Sequence, residues 1–268
     1  MKRPFLLALI LSLVFISCST EDEIGEGVNN REGTPVLSAE ERAGIRMCHE
    51  VYPEGVTPRA VAMTEKVWPI GSTITVKLDT AASRYVREKV EQYAREWTKY
   101  ANIGFKFVTE GEADIRVTFK AGKGSYSYIG TDAKFFKNQE TMNLGWFDDK
   151  TSDKEFSRTT IHEFGHALGL NHEHQHPEVD IPWDKPKVYE YYSGAPNYWS
   201  REKVDLNLFS PISKSESQFS EYDPLSIMHY SVDNALTTGD FEIGWNTELS
   251  DTDKTFIGEL YPFGEWEW

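Results

Sequence analysis

A chain of 268 residues with 39% hydrophobic and 13% aromatic content can bury a sizeable core, in one fair-sized domain or two small ones, and it shows no internal repeat. Its net charge of −15 argues against nucleic acid and anionic membrane surfaces as partners, because a polyanion would be repelled. Two cysteines, Cys18 and Cys48, are too few for a disulfide-stapled scaffold.

At the start of the chain, Lys2 and Arg3 precede an apolar stretch from Phe5 to Ile16 that is too short to span a bilayer with its flanks. Phe15-Ile16-Ser17-Cys18 resembles a bacterial lipobox, with Phe where Leu is more usual. Residues 1–17 are therefore expected to be a lipoprotein signal peptide and Cys18 the lipid anchor; the alternative is an ordinary secretory signal. Removing it takes away Lys2 and Arg3 and makes the exported chain more negative by two charges. The acidic run Glu21-Asp22-Glu23 resembles surface-export signals of bacterial lipoproteins, which puts the expected location at the outer membrane or cell surface. Residues 18–59 are polar, Gly- and Glu-rich and without sustained periodicity, and read as a tether and pro-segment.

Order is expected from Trp68-Pro69 onward. Thr73 to Leu78 alternates in the strand period. Ala82 to Ala101 carries Val86, Val90, Tyr93 and Trp97 at helical spacing. Ile103 to Thr109, Asp114 to Phe119, Ser125 to Gly130 and Met142 to Phe147 complete a five-stranded sheet. A helix from Arg158 to Leu170 would bury Ile161, Phe164 and Leu168. Pro, Tyr and Asn then punctuate a loop-rich stretch until a last helix at Ser250, where Ser250 and Asp253 have capping-box spacing. Strands and a helix first, then a helix and irregular structure, indicate an α+β domain divided by a cleft.

The chemistry lies in His162-Glu163-Phe164-Gly165-His166. Residues four apart share a helix face, so His162 and His166 can reach one metal ion, while Glu163 can reach a water on that ion. Gly169 can leave the helix through a left-handed turn, and His172 can swing back as a third ligand. Downstream, Ser226-Ile227-Met228-His229-Tyr230 contains a methionine in the setting of the turn that lies beneath such metals. The long pattern from His162 to His172, together with Met228, is the metzincin signature.

Within the metzincins the chain resembles the astacins, and in particular their bacterial relatives. Glu173 directly follows the third histidine, Met228-His229-Tyr230 has the astacin form of the methionine turn, and Ser125-Tyr126-Ser127-Tyr128-Ile129-Gly130 looks like the edge strand that lies along substrate. The resemblance covers roughly residues 60 to 262, and 60–268 is expected to be an astacin-like catalytic domain. It implies a two-subdomain zinc protease with a five-stranded mixed sheet, an active-site helix and an irregular C-terminal subdomain ending in a helix. There are departures: no cysteine follows Cys48, Ser125 stands where a cysteine is usual, and His174-Gln175-His176-Pro177-Glu178-Val179-Asp180 replaces an arginine-rich stretch.

Three imidazoles with an open position suit Zn2+, although iron or cobalt would bind similarly. Glu163 is the expected general base. By resemblance Tyr230 is a labile ligand that turns to the oxyanion, with a core tyrosine as the plain alternative, and Met228 is a packing floor. His174, His176 and His229 are expected at the surface or behind the ligands, since three imidazoles already fill the protein's share of a catalytic zinc. The edge strand favours polypeptide substrates held by strand addition. Cys48 is a candidate fourth ligand that would hold the enzyme latent, as in the matrixins, although Arg46-Met47-Cys48-His49 lacks the rest of the matrixin switch motif; a free or intermolecularly paired thiol is the alternative. The resemblance also places the mature N-terminus near Arg59-Ala60, its amine on Glu173, so that cutting there would release the enzyme from its lipid. A monomer is expected. The competing functions are a zinc amidase of cell-wall crosslinks and an inactive surface binding protein. Retention of Glu163 argues against the second, because a binding protein needs no base.

Overall fold

The computed structural model describes residues 48–49, 66–195, 197–212 and 218–264. The signal peptide, Cys18, the acidic run and the Arg59-Ala60 junction lie outside the described residues. Among the described residues no helix is long and apolar enough to cross a membrane.

Five strands form one sheet: β1 (Thr73–Leu78), β2 (Gly104–Val108), β3 (Ile115–Thr118), β4 (Ser125–Ser127) and β5 (Met142–Leu144), in the order β2-β1-β3-β5-β4. All pairings are parallel except β4 on β5, so β4 is an antiparallel edge with one side unpaired by the sheet. Along β1 the inward residues Ile74 and Val76 are fully buried, as period-two alternation requires. The expected edge strand is shorter than 125–130, because the chain turns at Gly130 (φ +51°) into a 3₁₀ helix over Gly130–Phe135. Likewise β5 stops at Leu144, where Phe147 N–H donates back to Leu144 O and closes a turn.

Helix α1 (Arg84–Ala94) is capped by Ser83 and buries Val86, Val90 and Ala94 against helix α2 (Asp153–Ala167). The expected helix to Ala101 breaks after Ala94. A 3₁₀ turn over Trp97–Lys99 follows, and it lets buried Trp97 donate its indole N–H to Ile161 O at 2.7 Å. Helix α2 starts five residues before the expected Arg158, since the Ser152 hydroxyl accepts Glu155 N–H and Asp153 and Glu155 favour the positive end of the helix. Phe156, Ile161, Phe164 and Leu168 join the sheet in one apolar cluster.

The stretch expected to be loop-rich holds two helices, α3 (Lys185–Ser193) and the short α4 (Arg201–Val204), the latter running into a π turn over Asp205–Phe209. Asp184 caps α3 and Pro186 sits in its first turn, where a missing N–H costs nothing. The final helix α5 (Asp251–Leu260) has the expected capping box between Ser250 and Asp253, and it buries Ile257 fully and Phe256 and Leu260 partly.

Candidate metal centre and active site

Helix α2 carries His162 and His166 on one buried face. Gly169 (φ +104°) then reverses the chain, with Leu170 N–H donating to Gly165 O, a termination that a side chain at 169 would strain. His172 comes back toward the other two, and its Nε2 lies 3.0 Å from that of His166. His162 Nδ1–H donates to Ile227 O and His166 Nδ1–H to Leu170 O, both at 2.8 Å, which leaves each Nε2 as a bare lone pair aimed inward.

The thiol of Cys48 completes the cluster. Its Sγ is 3.1, 3.8 and 3.0 Å from Nε2 of His162, His166 and His172. All four donor atoms lie within 4.8 Å of one another, and all four residues are buried. Burial is the first reason why His162, His166 and His172 sit below the usual imidazole range, so all three are neutral at pH 7, as metal ligation requires. Three imidazole nitrogens and the Cys48 sulfur would together hold a zinc ion. Zinc, when bound, supplies Lewis acidity to the scissile carbonyl and to the attacking water.

Glu163 is fully buried beside His162, and neither of its carboxylate oxygens has a hydrogen-bond partner among the described residues. Burial pushes its carboxyl well above the usual range, with the Arg158 charge acting weakly against it. An orphaned buried carboxyl is costly, and it fits a group whose partner is a metal-activated water.

Met228 is buried below the ligands, and its Sδ occupies the space that a Cβ at Gly165 would need. The turn that holds it is fastened by Asp253 of α5, which accepts from Ser226 Oγ–H at 2.7 Å and Ile227 N–H at 2.8 Å. Tyr230 is also buried; its hydroxyl donates to Cys48 O at 2.8 Å, and its ring stacks on His174 with centroids 4.1 Å apart.

The histidines expected at the surface or behind the ligands take the second place: His174, His176 and His229 are 3–4% exposed and none enters the donor cluster. Their nitrogens donate to Asn207 O, Ser220 O and Tyr230 O respectively. Along the edge strand, Ser125 O accepts His49 N–H at 3.2 Å and the His49 ring lies 5.3 Å from that of Tyr126, so Cys48-His49 already occupies part of it.

Glu173 is half-buried, with Oε1 accepting Asp223 N–H at 2.8 Å. Its carboxyl is pushed up to about 8 by burial, against that hydrogen bond and with nearby Asp253 and Asp223.

Two features escaped the sequence reading. Arg158, four residues before His162, pairs with Glu155 at 2.8 Å and lies over the Trp245 ring at 4.7 Å. With Trp146, Glu163 and Tyr230 they line an open recess beside Cys48 and His162. The four-residue spacing from His162 was the available signal. The sequence marks Asp253 as a helix cap, and nothing local to it shows that its carboxylate also reaches the methionine turn.

The family model described as Astacin, a peptidase family, matches residues 60–262. Two solved structures of myroilysin are similar to the chain. One is 59% identical with a TM-score of 0.74, covering 76% of this chain and 98% of that one. The other is 54% identical with a TM-score of 0.63, covering 86% and 100%. Tolloid-like protein 1 of Mus musculus is 27% identical over 224 residues, which is 76% of this chain but only 20% of the relative. The chain thus spans about a fifth of that curated relative's length.

Proposed function

The chain belongs to the astacin family of zinc metalloendopeptidases, and on that premise we propose that it is made as a latent, exported enzyme that cuts internal peptide bonds once Cys48 leaves the metal centre. One observation carries the reading: the Cys48 thiol sits 3.0–3.8 Å from all three imidazole nitrogens, next to the buried, unpartnered carboxyl of Glu163.

In the active form, Glu163 takes the proton of the attacking water and passes it to the leaving amine. The short distance from Tyr230 to the thiol supports its assignment as the donor to the oxyanion, since a hydroxyl 3.4 Å from Cys48 Sγ is within a small ring movement of the same centre. An extended peptide adds to the free side of β4, where His49 N–H now bonds Ser125 O, and one substrate side chain enters the recess between Trp146, Arg158 and Trp245.

Maturation near Arg59-Ala60 would also separate the enzyme from a lipid at Cys18 and so shed it from the cell surface. The new amine would meet Glu173, whose half-buried carboxyl has no cationic partner among the described residues and lines a cavity with Asp223 and Asp253.

The test compares full-length wild type, Cys48→Ser and Cys48→Ser/Glu163→Ala on a denatured protein and on peptidoglycan. Cys48→Ser is expected to cut the protein faster than wild type, and adding Glu163→Ala is expected to remove about 10²–10⁴ of that rate while zinc stays bound. Unchanged latency in Cys48→Ser would sink the switch. Hydrolysis of peptidoglycan but not protein would hand the reading to the amidase, and inertness of all three with bound zinc to the binding protein.

A further inference from the structure

The recess beside Cys48 and His162 is walled by two indoles, and each has its one polar atom tied down. Trp146 N–H donates to Glu155 Oε1 at 2.6 Å, and Trp245 N–H donates to Ser231 Oγ at 3.1 Å. With those bonds made, ring carbon is what the two side chains offer an entering group. Ile227 adds a buried aliphatic side chain.

The polar members of the wall are committed to one another or to main chain. Asn246 Nδ2 donates to Pro224 O at 2.9 Å and to Ser226 O at 2.8 Å. Thr159 Oγ1–H donates to Glu155 Oε1 at 2.8 Å. Arg158 reaches the same carboxylate twice, with Nε at 3.1 Å and Nη2 at 2.8 Å, and both side chains are only 18% exposed. The guanidinium also lies over the Trp245 ring at 4.7 Å, so the ion pair and the two indoles form one continuous wall. Burial works to raise the Glu155 carboxyl, yet Arg158 and the bonds from Thr159 and Trp146 hold it below the usual range. Both partners are therefore charged at pH 7, and the wall is neutral in sum.

We propose that this recess selects a large apolar or aromatic side chain, with Trp146 and Trp245 as its specificity-determining residues and Glu155 as the group that cancels Arg158. The inference rests on the endopeptidase reading above and adds the substrate class. Glu163 lines the same recess and hands a proton to the leaving amine, so the side chain belongs to the residue that supplies that amine. A carboxylate there would give up its water for a wall whose cation already has a carboxylate. A phenyl ring meets indole rings and an aliphatic side chain instead, and loses no hydrogen bond on entering.

The experiment gives the full chain carrying Cys48→Ser a set of peptides identical except for Phe, Leu, Ala or Asp directly after the cut bond. It reads kcat/KM for each, with the cut position confirmed by mass spectrometry. Phe and Leu are expected to exceed Ala by about 10–200-fold, and Asp to fall below Ala. Adding Trp245→Ala should shrink the Phe-to-Ala ratio about tenfold. Adding Glu155→Gln, which keeps an acceptor for Thr159 and uncovers the Arg158 charge, should raise the Asp-to-Ala ratio about tenfold. Each ratio is taken within one protein, so a loss of folded enzyme cancels. Preference for Asp before Glu155 is changed, equal rates for Phe and Ala, or an unchanged ratio in either variant overturns the proposal. A chain that cuts none of the peptides overturns the endopeptidase reading, and this inference with it.

Discussion

Between Lys66 and Leu170 the chain pairs five strands and packs α1 and α2 against them around one apolar cluster. Between Asn171 and Gly264, among the described residues, the only strand-like pairings are the isolated bridges Trp183–Thr237 and Val232–Ile243. There buried side chains take over the work of backbone ladders. His174, Gln175, His176 and Asn246 each bond main-chain carbonyls in other segments, at Asn207, Leu206, Ser220 and Ser226 among them. His162, His166 and Glu163 therefore stand on a helix whose position is set by apolar packing, which is non-directional and tolerant. The third ligand, Tyr230 and Met228 stand on irregular chain held by specific hydrogen bonds, where losing one partner strands the other.

That contrast is best broken by the largest effect first. Phe164→Ala empties a fully buried site that packs edge-on to Phe105 at 5.1 Å, and is expected to lower unfolding free energy by about 3–5 kcal/mol. A loss under about 1 kcal/mol by denaturant titration would mean that α2 is not held by its core. Tyr230→Phe keeps the ring stacked on His174 and removes only the hydroxyl. In the Cys48→Ser background kcat should fall about 10²-fold with KM little changed; a change in KM alone would make the tyrosine a substrate-binding group.

Asp253→Ala strands Ser226, Ile227 and Ser250 together and should cost about 2–3 kcal/mol. It tests the second half alone: zinc affinity should fall with stability, and unchanged stability would show that the methionine turn stands without α5. Glu173 gives an effect that shows only as a slope with pH. With a folded pKa of about 8 against an ordinary value of 4.5, the native protein holds the extra proton between those limits, so stability falls as pH rises through that window. Glu173→Gln should flatten the profile by at most about 1.4 kcal/mol per pH unit. In the form cut near Arg59-Ala60, an amine on Glu173 would flatten it equally; the same slope in cut and uncut protein would argue against that contact.

The halves also differ in how far the residues alone reveal them. The bounds of β1 and the Ser250 cap were legible because alternation and capping are local. The start of α2 was not, since its apolar face marks only where burial begins, while Ser152 sets the first turn. In α3 and α4 the Tyr, Asn and Pro residues read as loop punctuation, yet Tyr192 and Trp199 stack on each other and α3 packs against α4 in a second apolar cluster.

The sequence by itself determined the metal chemistry: a helix period places His162, Glu163 and His166, a glycine turn returns His172, and those relations span few residues. Only the tertiary structure decided what surrounds them. That Cys48 reaches the three nitrogens across more than a hundred residues, that Asp253 grips the methionine turn and that Gln175 is anchored to the segment 206–212 depend on contacts between distant parts of the chain. No local period encodes such contacts; the packing of the whole chain brings them together.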